Sequence, residues 1–148
     1  MVTLAVLAIL LMIAVPSFNE AALSSKLNSI ANSFISSAQL ARSEAIKRNT
    51  PVTLCAGSDC TGAWKDGWVV LAGATVIHTQ APLPNGFLLS GGGVTTITFQ
   101  PSGLRANDTD TALTLCRSAP TPGSQKRTIK LSVSGRPSVE KGPATSCP

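Results

Sequence analysis

Residues 1–18 read MVTLAVLAILLMIAVPSF: fifteen residues precede the first proline, and the first charge of any kind is Glu20. Three kinds of segment could carry such a run, and each implies a different architecture. A secretory signal opens on a basic segment and closes on a small-residue cleavage site. Here no Lys or Arg precedes the apolar run, and Pro16 follows Ala14-Val15 directly. A membrane-spanning helix wants about 20 apolar residues, and this run falls several short. A buried core helix fits the length. A helix that is apolar all round, however, needs cover on every side, and the chain beyond Pro16 does not read as a bundle.

Residues 17–49, SFNEAALSSKLNSIANSFISSAQLARSEAIKRN, have a different pattern. Phe18, Leu23, Leu27, Ile30, Phe34, Ala38, Ala41 and Ala45 are the apolar positions. After the first gap they are spaced 4, 3, 4, 4, 3 and 4, which predicts one face of a helix. Lys26, Arg42, Glu44 and Lys47 fall on the other face, with Ser and Asn. Asn49-Thr50-Pro51 ends the pattern. An apolar helix thus runs through Pro16 into an amphipathic one. Together they span about 70 Å, too long for a small domain and suited to a rod with one half in lipid or a filament core.

From Pro51 the period changes to two. PVTLCA, GWVVLAG, TVIHTQ, GVTTITFQ, TALTLCRS and RTIKLSVSG are short β-rich runs set between Gly- and Pro-containing turns. About six or seven strands against the amphipathic helix predict an α+β fold, a long N-terminal helix on an antiparallel sheet. The expected organisation is an apolar segment over 1–16, an amphipathic helix over 17–49 and a β-rich head over 50–148, with no internal repeat or linker.

Four cysteines occur, Cys55, Cys60, Cys116 and Cys147. An even number in a chain that reads as exported predicts two disulfides. A Cys55–Cys60 bridge would pin the CAGSDC turn, and a Cys116–Cys147 bridge would tie the tail to a strand. The pairings 55–116 with 60–147 and 55–147 with 60–116 remain open at this point. No CxxC is present and His78 is the only histidine, so no metal site and no cofactor are expected. No GxSxG surrounds a serine, and no enzyme is expected.

Weaker signals have simpler readings. Trp64 and Trp68 read as core cover at a strand start. Gly91-Gly92-Gly93 precedes no helix, as a phosphate loop must, and reads as a hairpin. Asn107-Asp108-Thr109-Asp110 reads as a solvated hairpin tip, not a calcium loop. Tyrosine is absent and aromatics are 4%, which argues against base-stacking platforms.

The formal net charge is +5 and unevenly placed: residues 105–148 hold seven basic groups against three acidic ones. Within that excess, Lys126, Arg127, Lys130 and Arg136 form the candidate polyanion contact. Lys130 alternates with Ile129 and Leu131 and is expected to face solvent. These charges would meet phosphates without reading sequence.

The pattern resembles the type IV pilins and pseudopilins. VTLAVLAILLMIAVPSF is similar to their N-terminal segment from just after its glutamate. The resemblance implies roughly six further residues before Met1, with that glutamate and the glycine cut by a prepilin peptidase, and an apolar run of about 21, long enough to span. Downstream, AQLARSEAIKRNTPVTLC, GAWKDGWVV, ITFQPSGL, LTLCRS and SGRPS with the late Cys resemble the GspH/FimT/FimU minor-pilin group. The resemblance implies a minor pilin that assembles by helix packing. Leu4, Val6, Leu7, Ile9, Leu10, Leu11 and Ile13 would lie in the inner membrane first and in the filament core afterwards. The head would be periplasmic, then extracellular. Other pilins are the implied partners, with no small-molecule substrate. The resemblance admits two alternatives: a FimT-type pilin that binds double-stranded DNA for uptake, and a GspH-like pseudopilin of type II secretion. The group's DNA-binding members carry Gly-Arg-x-Arg, which Gly135-Arg136-Pro137-Ser138 matches only at its first arginine.

Overall fold

A computed structural model describes residues 2–144 and 147, with side chains from Phe18 onward. A single helix, α1, runs unbroken over Val2–Arg48. It continues through Pro16 and ends at Asn49, whose φ of 53° is left-handed and halts helical propagation. The filament-core residues Leu4, Val6, Leu7, Ile9, Leu10, Leu11 and Ile13 fall on the backbone of this helix, but their side-chain environments lie outside the described residues. Among the described residues no helix is long and apolar enough to cross a membrane.

Of the predicted apolar face, Leu23, Leu27, Ile30, Phe34, Ala38, Ala41 and Ala45 are all buried. Phe18 is the exception, with 74% of its surface exposed. Five residues turn a helix by about 140° beyond a full turn, so the first gap in the pattern rotates Phe18 off the packed face. Ala31 and Ser37 join that face.

Eight strands complete the head: β1 Val52–Ala56, β2 Trp68–Ala72, β3 Thr75–Gln80, β4 Phe87–Ser90, β5 Thr96–Phe99, β6 Thr111–Arg117, β7 Gln125–Leu131 and β8 Pro137–Pro143. They form two four-stranded sheets, β3-β2-β1-β5 and β4-β6-β7-β8. Every pairing is antiparallel. The long helix on an antiparallel β-sheet domain is as the sequence reading has it, but the expected six or seven strands are eight, in two sheets. β4 is four residues long, and β8 carries Pro, Gly and two charges with little burial, so neither announces itself by alternation.

The helix packs on both sheets. Leu27, Ile30 and Phe34 meet a core of Leu54, Val70, Ile97 and Phe99 from one sheet and Leu113, Leu115, Ile129 and Leu131 from the other. Phe34 stands at the centre: Trp64 and Trp68 meet it edge-on, with centroids 5.3 and 5.2 Å away. The Trp68 indole N–H donates to Ser37 Oγ at 2.9 Å, and that of Trp64 donates to the Val94 carbonyl at 2.6 Å. Both tryptophans are core residues, as their position in the sequence suggests.

Two turns lock onto the C-terminal end of the helix. Arg42 Nε donates to the Gly103 carbonyl at 2.9 Å, holding the Phe99–Gly103 turn. Gly135 has φ +76°, and a Cβ there would strike that same carbonyl. Glycine is thus required where the β7–β8 turn packs on the β5–β6 connection.

Candidate functional site

The cysteines join as Cys55–Cys60 and Cys116–Cys147, and none is free. The first bridge closes the turn after β1. The second ties the chain end to β6, an interior strand of its sheet. Both are structural links. Among the described residues no group of His, Cys, Asp and Glu is arranged to hold a metal.

His78 lies on β3 and faces Ser29, Ser33, Ser36 and Ser37 of α1 across a shallow polar groove. No carboxylate lines this groove to orient the imidazole. Gly91-Gly92-Gly93 connects β4 to β5, and Asn107–Asp110 lies between β5 and β6. Neither is the hairpin that its composition suggests, because each connection crosses from one sheet to the other. Asp110 serves the second crossing: its Oδ1 accepts the Val133 N–H at 3.0 Å.

The four cations singled out in the sequence do not converge. Lys126 and Lys130 share the outer face of β7, as the alternation predicts for Lys130. Lys130 Nζ sits 2.7 Å from Glu140 Oε1 on β8. Arg136 is exposed at the far end, after the β7–β8 turn. Arg127 points the other way. It is 2% exposed and lies between sheet and helix. Its Nε donates to Asn28 Oδ1 at 2.7 Å and its Nη2 to Ser24 Oγ at 2.8 Å. Burial pulls its guanidinium below the ordinary arginine value. The rule that puts Lys130 outside, alternation with Ile129 and Leu131, puts Arg127 inside, and the sequence held that signal.

Arg105 is a second buried arginine, and no pattern in the sequence marked it. Its Nη1 donates to the carbonyls of Thr109 and Leu131, and its Nη2 donates to Thr111 Oγ1 at 2.6 Å. It thereby braces the crossing between sheets. Part of the basic excess is therefore architectural: Arg105 and Arg127, like Arg42 on the helix, bind backbone or side-chain oxygens inside the head.

The helix–head junction has one further clasp. Glu20 accepts from Ser124 Oγ and from Gln125 Nε2. These bonds, helped by Arg117 and Lys141, hold its carboxyl below the usual carboxylate range. Glu20 marks the point from which the described head engages α1.

The sequence model described as Type II transport protein GspH matches residues 31–135. The chain belongs to this family. Its matched part begins mid-helix and ends at the β7–β8 turn. This GspH-family chain is similar in fold to the type IV minor pilin FimU of Pseudomonas aeruginosa. The TM-score is 0.69 at 22% identity, covering 84% of this chain and 96% of FimU. It is also similar to the minor pseudopilin EpsH of Vibrio cholerae. There the TM-score is 0.56 at 15% identity, covering 78% of this chain and 96% of EpsH. No curated protein sequence gives a significant match. The GspH-family chain therefore has the pilin fold, a long N-terminal helix on antiparallel sheets. Relatives of this kind are structural pilin and pseudopilin subunits, not enzymes, and they work in a pilus or pseudopilus at the periplasmic side of the cell.

Proposed function

We propose that this chain is a minor pilin of a type IV pilus, acting in a tip or priming complex, that enters the filament by packing its N-terminal helix among those of neighbouring pilins. The observation that carries this reading is α1 itself. It is unbroken over Val2–Arg48, whereas its described contacts with the head begin at Glu20. The helical backbone before Glu20 is about 18 residues, roughly 27 Å. Leu4, Val6, Leu7, Ile9, Leu10, Leu11 and Ile13 would hold the chain in the inner membrane, head in the periplasm, and later line the filament core. Apolar burial is worth about 25 cal/mol per Å² taken from water, and less when the surface comes from lipid. The larger overlap with FimU favours the pilus; the family description favours the second reading, a pseudopilin of type II secretion.

The DNA-uptake reading draws on the basic end. Arg127 is committed to the helix and Lys130 to Glu140, which leaves Lys126 and Arg136 open among the four. Each phosphate neutralised on duplex DNA contributes about 0.9 to the slope of log affinity against log salt. The assembly reading therefore expects the detergent-solubilised chain to show, in a gel shift with duplex DNA, a slope no steeper than about −2 and no retention at physiological salt. Micromolar binding with a slope of about −4 or steeper, lost in the Lys126→Ala/Arg136→Ala variant, would make DNA capture the function of this end.

A further inference from the structure

A groove of about 430 Å³ opens between α1 and the edge strand β8, lined by Ser24, Asn28, Asn32, Arg127 and Lys141, with Ala31 and Val139 as its apolar wall. Arg127 and Lys141 are direct cross-strand partners. Such partners stand about 5 Å apart at Cβ, and like charges there repel. No carboxylate lines the groove. The two nearest acids along the chain are engaged elsewhere. Glu140 faces the opposite side of the sheet with Lys130, and Glu20, one turn before Ser24, is hydrogen-bonded to Ser124 and Gln125 and acts on Lys141 only through space, with no direct ion pair between them.

The hydrogen bonds of Arg127 fix what the groove presents. All its partners are neutral oxygens: Asn28 Oδ1, Ser24 Oγ, the Lys126 carbonyl and Gln125 Oε1. Asn28 spends its carbonyl oxygen on the guanidinium and retains its NH2 donors. Ser24 accepts at Oγ and retains its hydroxyl hydrogen. Beside these stands the Lys141 ammonium, which forms no ion pair among the described residues. A positive, donor-rich groove over a buried and uncompensated arginine calls for an anion.

The burial of Arg127 selects the kind of anion. Arg127 is 2% exposed, so the ligand must reach in by a narrow tip. A phosphodiester carries a sugar on both sides of its phosphorus and cannot do this, whereas a carboxylate ends a slim side chain. We propose that this groove is a carboxylate site that receives a Glu or Asp side chain from a protein partner. That the partner is a neighbouring subunit rests on the assembly reading above; the carboxylate site does not.

The test is a nitrogen-15 NMR titration of the full chain in detergent with N-acetylglutamic acid α-amide, whose only carboxylate is the side chain. The side-chain amides of Asn28 and Asn32 and the Arg127 Nε–H should shift at millimolar probe. N-acetylglutamine amide, inorganic phosphate and a duplex oligonucleotide should move them less. Lys141→Ala, at an exposed position, should weaken the response about fivefold. Lys141→Glu should shift the same resonances without any ligand and raise the melting temperature. The proposal is overturned by no response to the carboxylate probe, by an equal response to the glutamine analogue, by a larger one to phosphate or duplex, or by destabilisation in Lys141→Glu. Failure here leaves filament entry untouched, and a chain absent from filaments leaves this titration untouched.

Discussion

Replacing Phe34 by alanine lowers the free energy of unfolding by about 3–5 kcal/mol. Phe34 is fully buried and lies between the rings of Trp64 and Trp68. Its removal deletes two edge-to-face pairs, each worth about 0.5–1.5 kcal/mol beyond area burial. It also opens a cavity where the helix meets the sheets, and both indoles are anchored by hydrogen bonds that restrain collapse into the gap. A domain of this size has about 5–15 kcal/mol in total, so the variant should be marginal. Urea unfolding followed by tryptophan emission measures the loss directly. Phe34→Leu, which keeps most of the volume, should cost clearly less. A loss below about 1 kcal/mol for the alanine variant would mean that the helix does not carry the core.

The two disulfides should differ in worth by about a factor of two. In the chain-entropy account, stabilisation grows with the logarithm of the loop closed in the unfolded state. Cys116–Cys147 closes a separation of 31 residues and Cys55–Cys60 one of 5. The corresponding contributions are about 4 and about 2 kcal/mol. Removing the first as Cys116→Ala/Cys147→Ala should therefore lower the denaturation midpoint more than Cys55→Ala/Cys60→Ala does. It should also release the chain end beyond β8, whose Ala144 N–H now bonds the Ser124 carbonyl. Equal losses would show that local geometry outweighs loop length.

The helix was legible because its signal is redundant. The 3-4 spacing from Leu23 to Ala45, the Asn-Thr-Pro stop and the absence of charge before Glu20 all point to one rod. The strands with alternating patterns were legible as well. β4 and β8 were not, because each is held by a neighbour rather than by its own pattern: β4 pairs only with β6, and β8 only with β7. The division into two sheets was invisible for a related reason. Period-two alternation says which residues face inward but not which strand lies next door.

The basic end shows where charge counting misleads. A sum over Lys126, Arg127, Lys130 and Arg136 treats them as equivalent, whereas strand parity sends Arg127 into the head. Its partners Ser24 and Asn28 lie about a hundred residues away in sequence. Such a contact exists only once the helix has docked. Arg105 was hidden in the same way, since its acceptors are backbone carbonyls on β7 and on its own loop. Buried arginines of this kind look like surface charge until the fold supplies their acceptors.

If the N-terminal part of α1 takes the chain into a filament, its removal should abolish entry without harming the head. Mass spectrometry of sheared filaments reads this out, comparing cells that make the whole chain with cells that make a chain beginning at Asn19 behind a cleavable secretory signal, which delivers it to the periplasm. The whole chain should be found in the filaments, and the shortened chain should be present in the periplasm but missing from them. Recovery of the shortened chain in filaments, or absence of a stably made whole chain from them, would contradict filament entry through α1.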